Sequence, residues 1–270
     1  MKRVLGAITA AMLAVSAWQA SAQTLVLGLE NVEYFPWQLP DGTGADIFLI
    51  ETAARNLGYA VDFRPVPWRR CLNEAGSNAI DGCFSASFEV SRMDLGVYPM
   101  ADNRPDTSKA LHTDSYSLYV PTGSDVRWTG SEFDNLSGDI GAIYGYSIVT
   151  TLQNQGVGVF KADRLGQLFQ LLLRDRLDGV AALTAHADHL IEQTPELSGR
   201  VQKVGPPLEE KHFYLLFSHS FAKNNPEVVS ALYDEINRVR KSPEYRENYE
   251  HIRRTHIEPH TLNYDPPGGL

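Results

Sequence analysis

VDFRPVPWRRCLNEAGSNAIDGCFSASFEVSRMDLGVYP, residues 61–99, decides how this chain is read. It opens on a strand that ends at Val66, and Pro67 then starts a short helix in which Trp68, Cys71, Leu72 and Ala75 recur at helical spacing. The apolar run Ile80–Ser85 is a second strand, Ser85 and Ser87 mark a hydroxyl-rich turn, and Arg92 stands where another short helix begins. Trp68 offers a ring face to an apolar or cationic group, the serines hydrogen-bond, and Arg92 can grip a carboxylate through two parallel bonds. Each has a plainer reading, Trp68 as core and Arg92 as a solvated charge. Their meeting at the carboxyl end of one strand–helix–strand unit is what points to a small-molecule site.

The alternation continues on both sides. Thr24–Glu30 reads as a buried strand, Asn31–Thr43 as an aromatic-rich loop, Ala45–Leu57 as an amphipathic helix and Tyr59–Val66 as a strand. Residues 100–113 have no apolar period and read as a loop leading into a crossover. Ser115–Val120 begins a second set: strand Ile140–Ile143, a turn at Tyr144–Ser147, helix Arg164–Arg174 and strand Gly179–Leu183. Phe213–Ser218 reads as a returning strand, followed by helices Pro226–Arg240 and Pro243–Arg253. Strands alternating with helices argue for parallel α/β units, and the echo of Ile80-Asp81-Gly82 in Leu177-Asp178-Gly179 hints at two of them.

Residues 1–22 combine Lys2 and Arg3, an apolar run too short to span a bilayer, and Ala20-Ser21-Ala22, the form of a cleavable secretory leader. An exported protein is expected, in the periplasm, with no lipid-bearing cysteine after the leader. Removing the leader takes the formal charge from −9 to −11, which disfavours nucleic acid and anionic membranes as partners. Cys71 and Cys83 would meet an oxidising compartment, and a helix residue and the following strand can come within bridging distance, so a disulfide is expected over two buried thiols. His186 and His189 share a helix face with Asp188 between them, but zinc wants further ligands that the sequence does not place, so no metal and no cofactor is expected.

The order of motifs resembles the periplasmic solute-binding proteins of family 3, the amino-acid-binding receptors of ABC transporters. Gly44-Ala45-Asp46-Ile47-Phe48-Leu49, Trp68, Ile80-Asp81-Gly82, Ser91-Arg92, Val97-Tyr98-Pro99, Leu136-Ser137-Gly138, Gly145-Tyr146-Ser147, Leu177-Asp178-Gly179 and Phe213–Ser218 carry the likeness along nearly all of the mature chain. The resemblance implies two mixed α/β lobes joined by two crossover segments, with the ligand clamped in the cleft. Lobe 1 would be 23–112 plus 214–262, lobe 2 113–213, and 263–270 a tail.

The resemblance also implies ligand roles. Tyr34 and Trp68 would sandwich the solute, Ser85 and Ser87 would hydrogen-bond it, and Arg92 and Ser147 would hold its carboxylate from opposite lobes. There are two departures. Between Asp81 and Arg92 the chain is one residue short of the family spacing, which leaves the Ser85/Ser87 register open. The lobe-2 acid that pairs with an α-amino group should fall near Ala182-Leu183-Thr184, where no acid stands, while Glu30 or Asn31 could supply a partner from lobe 1. The function implied is a monomeric, non-catalytic receptor handing a small carboxylate-bearing solute to an inner-membrane permease. A dehydratase-like enzyme with Glu30 as general acid and a ligand-presenting sensory subunit are the rivals on the same scaffold.

Overall fold

The computed structural model describes residues 23–255, so the leader, the end of lobe 1 past residue 255 and the tail lie outside the described residues. β1 (Gln23–Glu30) pairs in parallel with β2 (Tyr59–Val66) along its whole length and with β3 (Gly82–Ser87) at Leu27 and Gly28. The crossovers are α1 (Ala45–Asn56) and α2 (Trp68–Gly76). In α1 the buried residues Ile47, Leu49, Ile50, Ala53 and Ala54 follow the helical period, and that face packs on the sheet.

A small hairpin, β4 (Met100–Ala101) with β5 (Arg104–Pro105), lies in the stretch expected to be loop; two-residue strands carry no readable alternation. The long strand β6 (His112–Pro121) follows, then a second hairpin of β7 (Arg127–Trp128) and β8 (Phe133–Asp134). β9 (Ile140–Ile143) leads through α3 (Ser147–Asn154) to β10 (Val159–Ala162), and α4 (Leu165–Leu172) leads to β11 (Gly179–Leu183). Both β10 and β11 are parallel to β9. α5 (Thr184–Gln193) and β12 (Val201–Phe217) return the chain, which closes with α6 (His219–Asn224), α7 (Pro226–Arg240) and α8 (Pro243–Thr255).

The sheet order is β10-β9-β11-β6-β12-β3-β1-β2. Two parallel three-stranded wings are thus joined through one antiparallel pair, β6 and β12, giving the expected two-lobed mixed α/β form. β12 begins twelve residues before the strand expected from sequence. Gly205-Pro206-Pro207 reads as a breaker, since proline cannot donate to a ladder, but the structure absorbs it as a register shift between Val204 and Glu209. The second wing has its own apolar core around Leu168, Phe169, Leu172 and Val180, whereas β1, α1, α7 and α8 share the largest cluster.

A third cluster surrounds Cys71 on α2 and Cys83 on β3, which are joined in a disulfide with Cα atoms 6.1 Å apart. Gly28 on β1 packs against this bridge: a Cβ there would stand 2.5 Å from the Cys71 sulfur, so no other residue fits without moving it. Converting both cysteines to alanine should lower unfolding free energy by about 3 kcal/mol, the loop-closure value for a short loop. Denaturant unfolding of the oxidised protein and of the double variant measures this, and coincident midpoints would show that the bridge adds no stability.

Candidate functional site

The carboxyl ends of both parallel wings face one another, the place where open α/β sheets hold ligands. Glu30 ends β1, Trp68 opens the helix after β2, Ser85 and Ser87 end β3, and Leu183 ends β11. Together with Tyr34, Arg92 and Tyr146 they border a cavity of about 410 Å³ that includes its open mouth. Five of the six expected ligand residues therefore meet at one space. Ser147, 2 % exposed, lies one layer behind it, its hydroxyl bonded to Ser87 at 3.2 Å and Tyr116 at 3.4 Å.

Arg92 is carried on a single 3-10 turn, Val90–Asp94, and is only 6 % exposed. Its Nη1 donates to the Ser87 carbonyl (2.7 Å) and hydroxyl (3.0 Å), and Nη2 donates across the cleft to the Gly145 carbonyl (3.0 Å). The guanidinium lies 5.4 Å from the Trp68 ring centre. A guanidinium has five N–H groups. The group also meets the Tyr98 side chain, and no described carboxylate lies within 4 Å of it. A planar guanidinium placed this way can grip a carboxylate beside those partners. Gly145 adopts φ +85°, a left-handed conformation that favours glycine, and a Cβ there would also press to 3.0 Å from Cγ of Arg69.

The register left open between Asp81 and Arg92 resolves as a β-bulge. β12 pairs with β3 at Tyr214–Ala86 and again at Leu216–Cys83, and Ser85, between them, adopts φ +56°. Bulges re-aim side chains. Here the bulge turns the Ser85 hydroxyl onto Asp46, to which it donates at 2.6 Å, while Ser87 turns to Arg92. Asp46 is wholly buried on α1, and both its oxygens meet Nδ1 of His112 on β6 at 2.9 and 3.0 Å. The His112 ring is stacked between Trp37 (3.9 Å) and Phe213 (4.6 Å). Its Nε2 is 3.4 Å from the hydroxyl of Tyr34, which donates to Asp114 at 3.1 Å. Sequence reasoning quoted Asp46 only as part of a motif and missed His112 and Tyr116; their one signal was polar residues inside otherwise apolar elements.

Glu30 faces the cavity and accepts a 2.6 Å hydrogen bond from Tyr146 of the opposite lobe. Burial lifts its pKa from 4.5 to about 7, against the lowering effect of the Tyr146 bond. Between those values folded Glu30 keeps a proton that the unfolded chain releases, so its contribution to stability should fall as pH rises from about 4.5 to about 7 and level off above, against a rise from His186 that both proteins share. Glu30→Gln should remove that fall. Melting temperatures of both proteins across this range test it, and parallel curves would show that Glu30 titrates as an ordinary carboxyl.

At the lobe-2 position where an acid was sought, Ala182 is buried, Leu183 lines the cavity, and the Thr184 hydroxyl is bonded to Ser115 and Ser117 at 2.9 and 2.7 Å. Asp188 is engaged elsewhere, by Tyr119 and Lys203. His186 faces an outer groove, and burial lowers its pKa to about 4.

No family model and no curated protein matches the chain. Solved structures do. An ancestral arginine-binding protein bound to glutamine is 22 % identical over 86 % of this chain and 98 % of that one, with a TM-score of 0.68. An amino acid ABC transporter substrate-binding protein from Streptococcus pneumoniae bound to L-arginine is 19 % identical over 87 % and 96 %, with a TM-score of 0.68. A histidine kinase sensor domain with similarity to periplasmic binding proteins is 14 % identical over 88 % and 97 %, with a TM-score of 0.70. The chain has the two-lobed fold that these proteins share.

Proposed function

We propose that the protein is a non-catalytic receptor for a small carboxylate-bearing solute, exported to the periplasm as a monomer and handing its cargo to an inner-membrane permease. Lobe 1 would then be 23–112 plus 214–262, and lobe 2 113–213. The observation that carries the reading is the buried Arg92 guanidinium, which borders the cavity with no described carboxylate within 4 Å. A buried cation without a counter-charge is costly, and a ligand carboxylate supplies one. Tyr34 and Trp68 flank the ligand, and Ser85 and Ser87 shape the floor beside the anchor, with Ser147 bracing Ser87 from lobe 2.

The ligand carries no α-ammonium held in the usual way. No acid of lobe 2 lines the inner cavity among the described residues, and Glu30 is half-protonated near neutrality and already bonded to Tyr146. Leaving an ammonium short of a carboxylate costs several kcal/mol, more than one ring face returns. A thermal-shift screen of the twenty amino acids beside small organic acids, amides and quaternary amines tests this. At 100 times Kd a true ligand adds about 2.7 kcal/mol. Tight, ammonium-dependent binding of a common amino acid would overturn the ligand class, and silence from every carboxylate would overturn the receptor reading.

One observation favours a second reading. A carboxyl of pKa about 7 bordering a cavity is suited to general acid work, so a dehydratase-like activity through Glu30 competes with transport. Recovery of the bound solute unchanged after prolonged incubation decides for the receptor. Presentation of ligand to a membrane sensor would appear as capture of a signalling protein in place of a permease.

A further inference from the structure

From the inner cavity a groove opens outward between the lobes, about 2200 Å³ against 410 Å³ counted in the same way, and Glu30, Trp68 and Tyr146 wall both. Three arginines line it. Arg70 is engaged by Glu74 at 2.6 Å, but Arg69 and Arg164 have no carboxylate within 4 Å among the described residues. Arg69 instead lies 4.2 Å over the ring of Tyr144 on the facing lobe. Of the groove's acids, Glu30 accepts from Tyr146 and Glu33 lies 3.4 Å from Nε2 of His189, which leaves Asp163 beside Arg164. His186 adds no charge near neutrality, since burial holds its pKa at about 4. Two guanidiniums, Arg69 and Arg164, thus line the groove with no described carboxylate within 4 Å.

The inner anchor and the outer guanidinium converge on one residue. Arg92 donates to the Gly145 carbonyl, while the Arg69 stem and the Trp68 ring stand where a side chain on Gly145 would reach, at 3.0 and 3.6 Å from such a Cβ. Resting on the reading of Arg92 as the carboxylate anchor, we infer that the ligand is an elongated dianion. One carboxylate is held by Arg92 in the inner cavity. A second anionic group reaches Arg69 in the groove with Arg164 beside it, and the connecting chain runs past Trp68 and Tyr144. A charge-assisted fork recognises the distal anion as it does the inner one.

The test is calorimetric titration of the full chain with α,ω-dicarboxylic acids from succinate to sebacate, beside monocarboxylic and ω-amino acids of equal length. Above a threshold length the dicarboxylate should bind about tenfold or more tighter than its monocarboxylate, a gain of about 1.4 kcal/mol. In the Arg69→Gln/Arg164→Gln double variant that ratio should drop towards one. A ratio near one at every length, a ratio the double variant leaves standing, or an advantage for the ω-amino acids instead would overturn the inference. If monocarboxylates bind and depend on Arg92, such a result leaves the receptor reading intact; if no acid binds, both fall together.

Discussion

Arg92→Ala should weaken binding of the carboxylate ligand by about 2–4 kcal/mol, roughly thirtyfold to a thousandfold in Kd. The variant removes the cation that faces the ligand and also the donors that hold Ser87 and Gly145, so both the counter-charge and the contact between lobes go at once. Arg92→Lys should not restore affinity. An ammonium keeps the charge but cannot reach the Ser87 carbonyl, the Gly145 carbonyl and a carboxylate from one planar fork. Calorimetric titration of the three proteins with the ligand found by screening gives the comparison. Equal affinity in wild type and Arg92→Ala would remove Arg92 from the site.

Asp46→Ala should be the most damaging single change to stability, by about 3–5 kcal/mol. The carboxylate is wholly buried and serves two donors, the Ser85 hydroxyl and the His112 ring, which the variant strands in a stack of aromatics. Replacing both members by apolar residues, Asp46→Leu with His112→Phe, should recover much of the loss, because the buried imidazole is then no longer stranded and only the half-buried Ser85 hydroxyl loses its partner. Denaturant titration separates these cases. A cost in Asp46→Ala no larger than that of an exposed substitution would mean the pair is not holding the site floor.

The wings were legible because their periods are clean. Tyr59–Val66, Ile140–Ile143 and Gly179–Leu183 match the strands residue for residue, each bounded by turn formers. Gly205-Pro206-Pro207 hid most of β12, since a breaker inside a strand shows as a bulge only once its partner strand is known. At the site, Trp68 and Arg92 could be found because a single strand–helix–strand unit sets their positions. The Ser85–Asp46–His112 chain could not. It joins three elements through a bulge and one left-handed residue, and sequence spacing along any one element carries no trace of that contact.

The shared central strands also set an order of events for the chain as it is made. β11 meets β6, and β9 meets β10, within one continuous stretch between His112 and Leu183. β3, by contrast, waits for β12, where Ser87 pairs with Phe213, and α1 is covered by α7 and α8 from the far end of the sequence. The half of the molecule that is synthesised first is therefore completed last. Its contacts span the largest sequence separations, which slows folding, and until β12 arrives the Gly82–Ser87 strand presents an unpaired edge. Truncation after Leu183 and before Phe213 should leave the second wing able to collapse and the first unable to close.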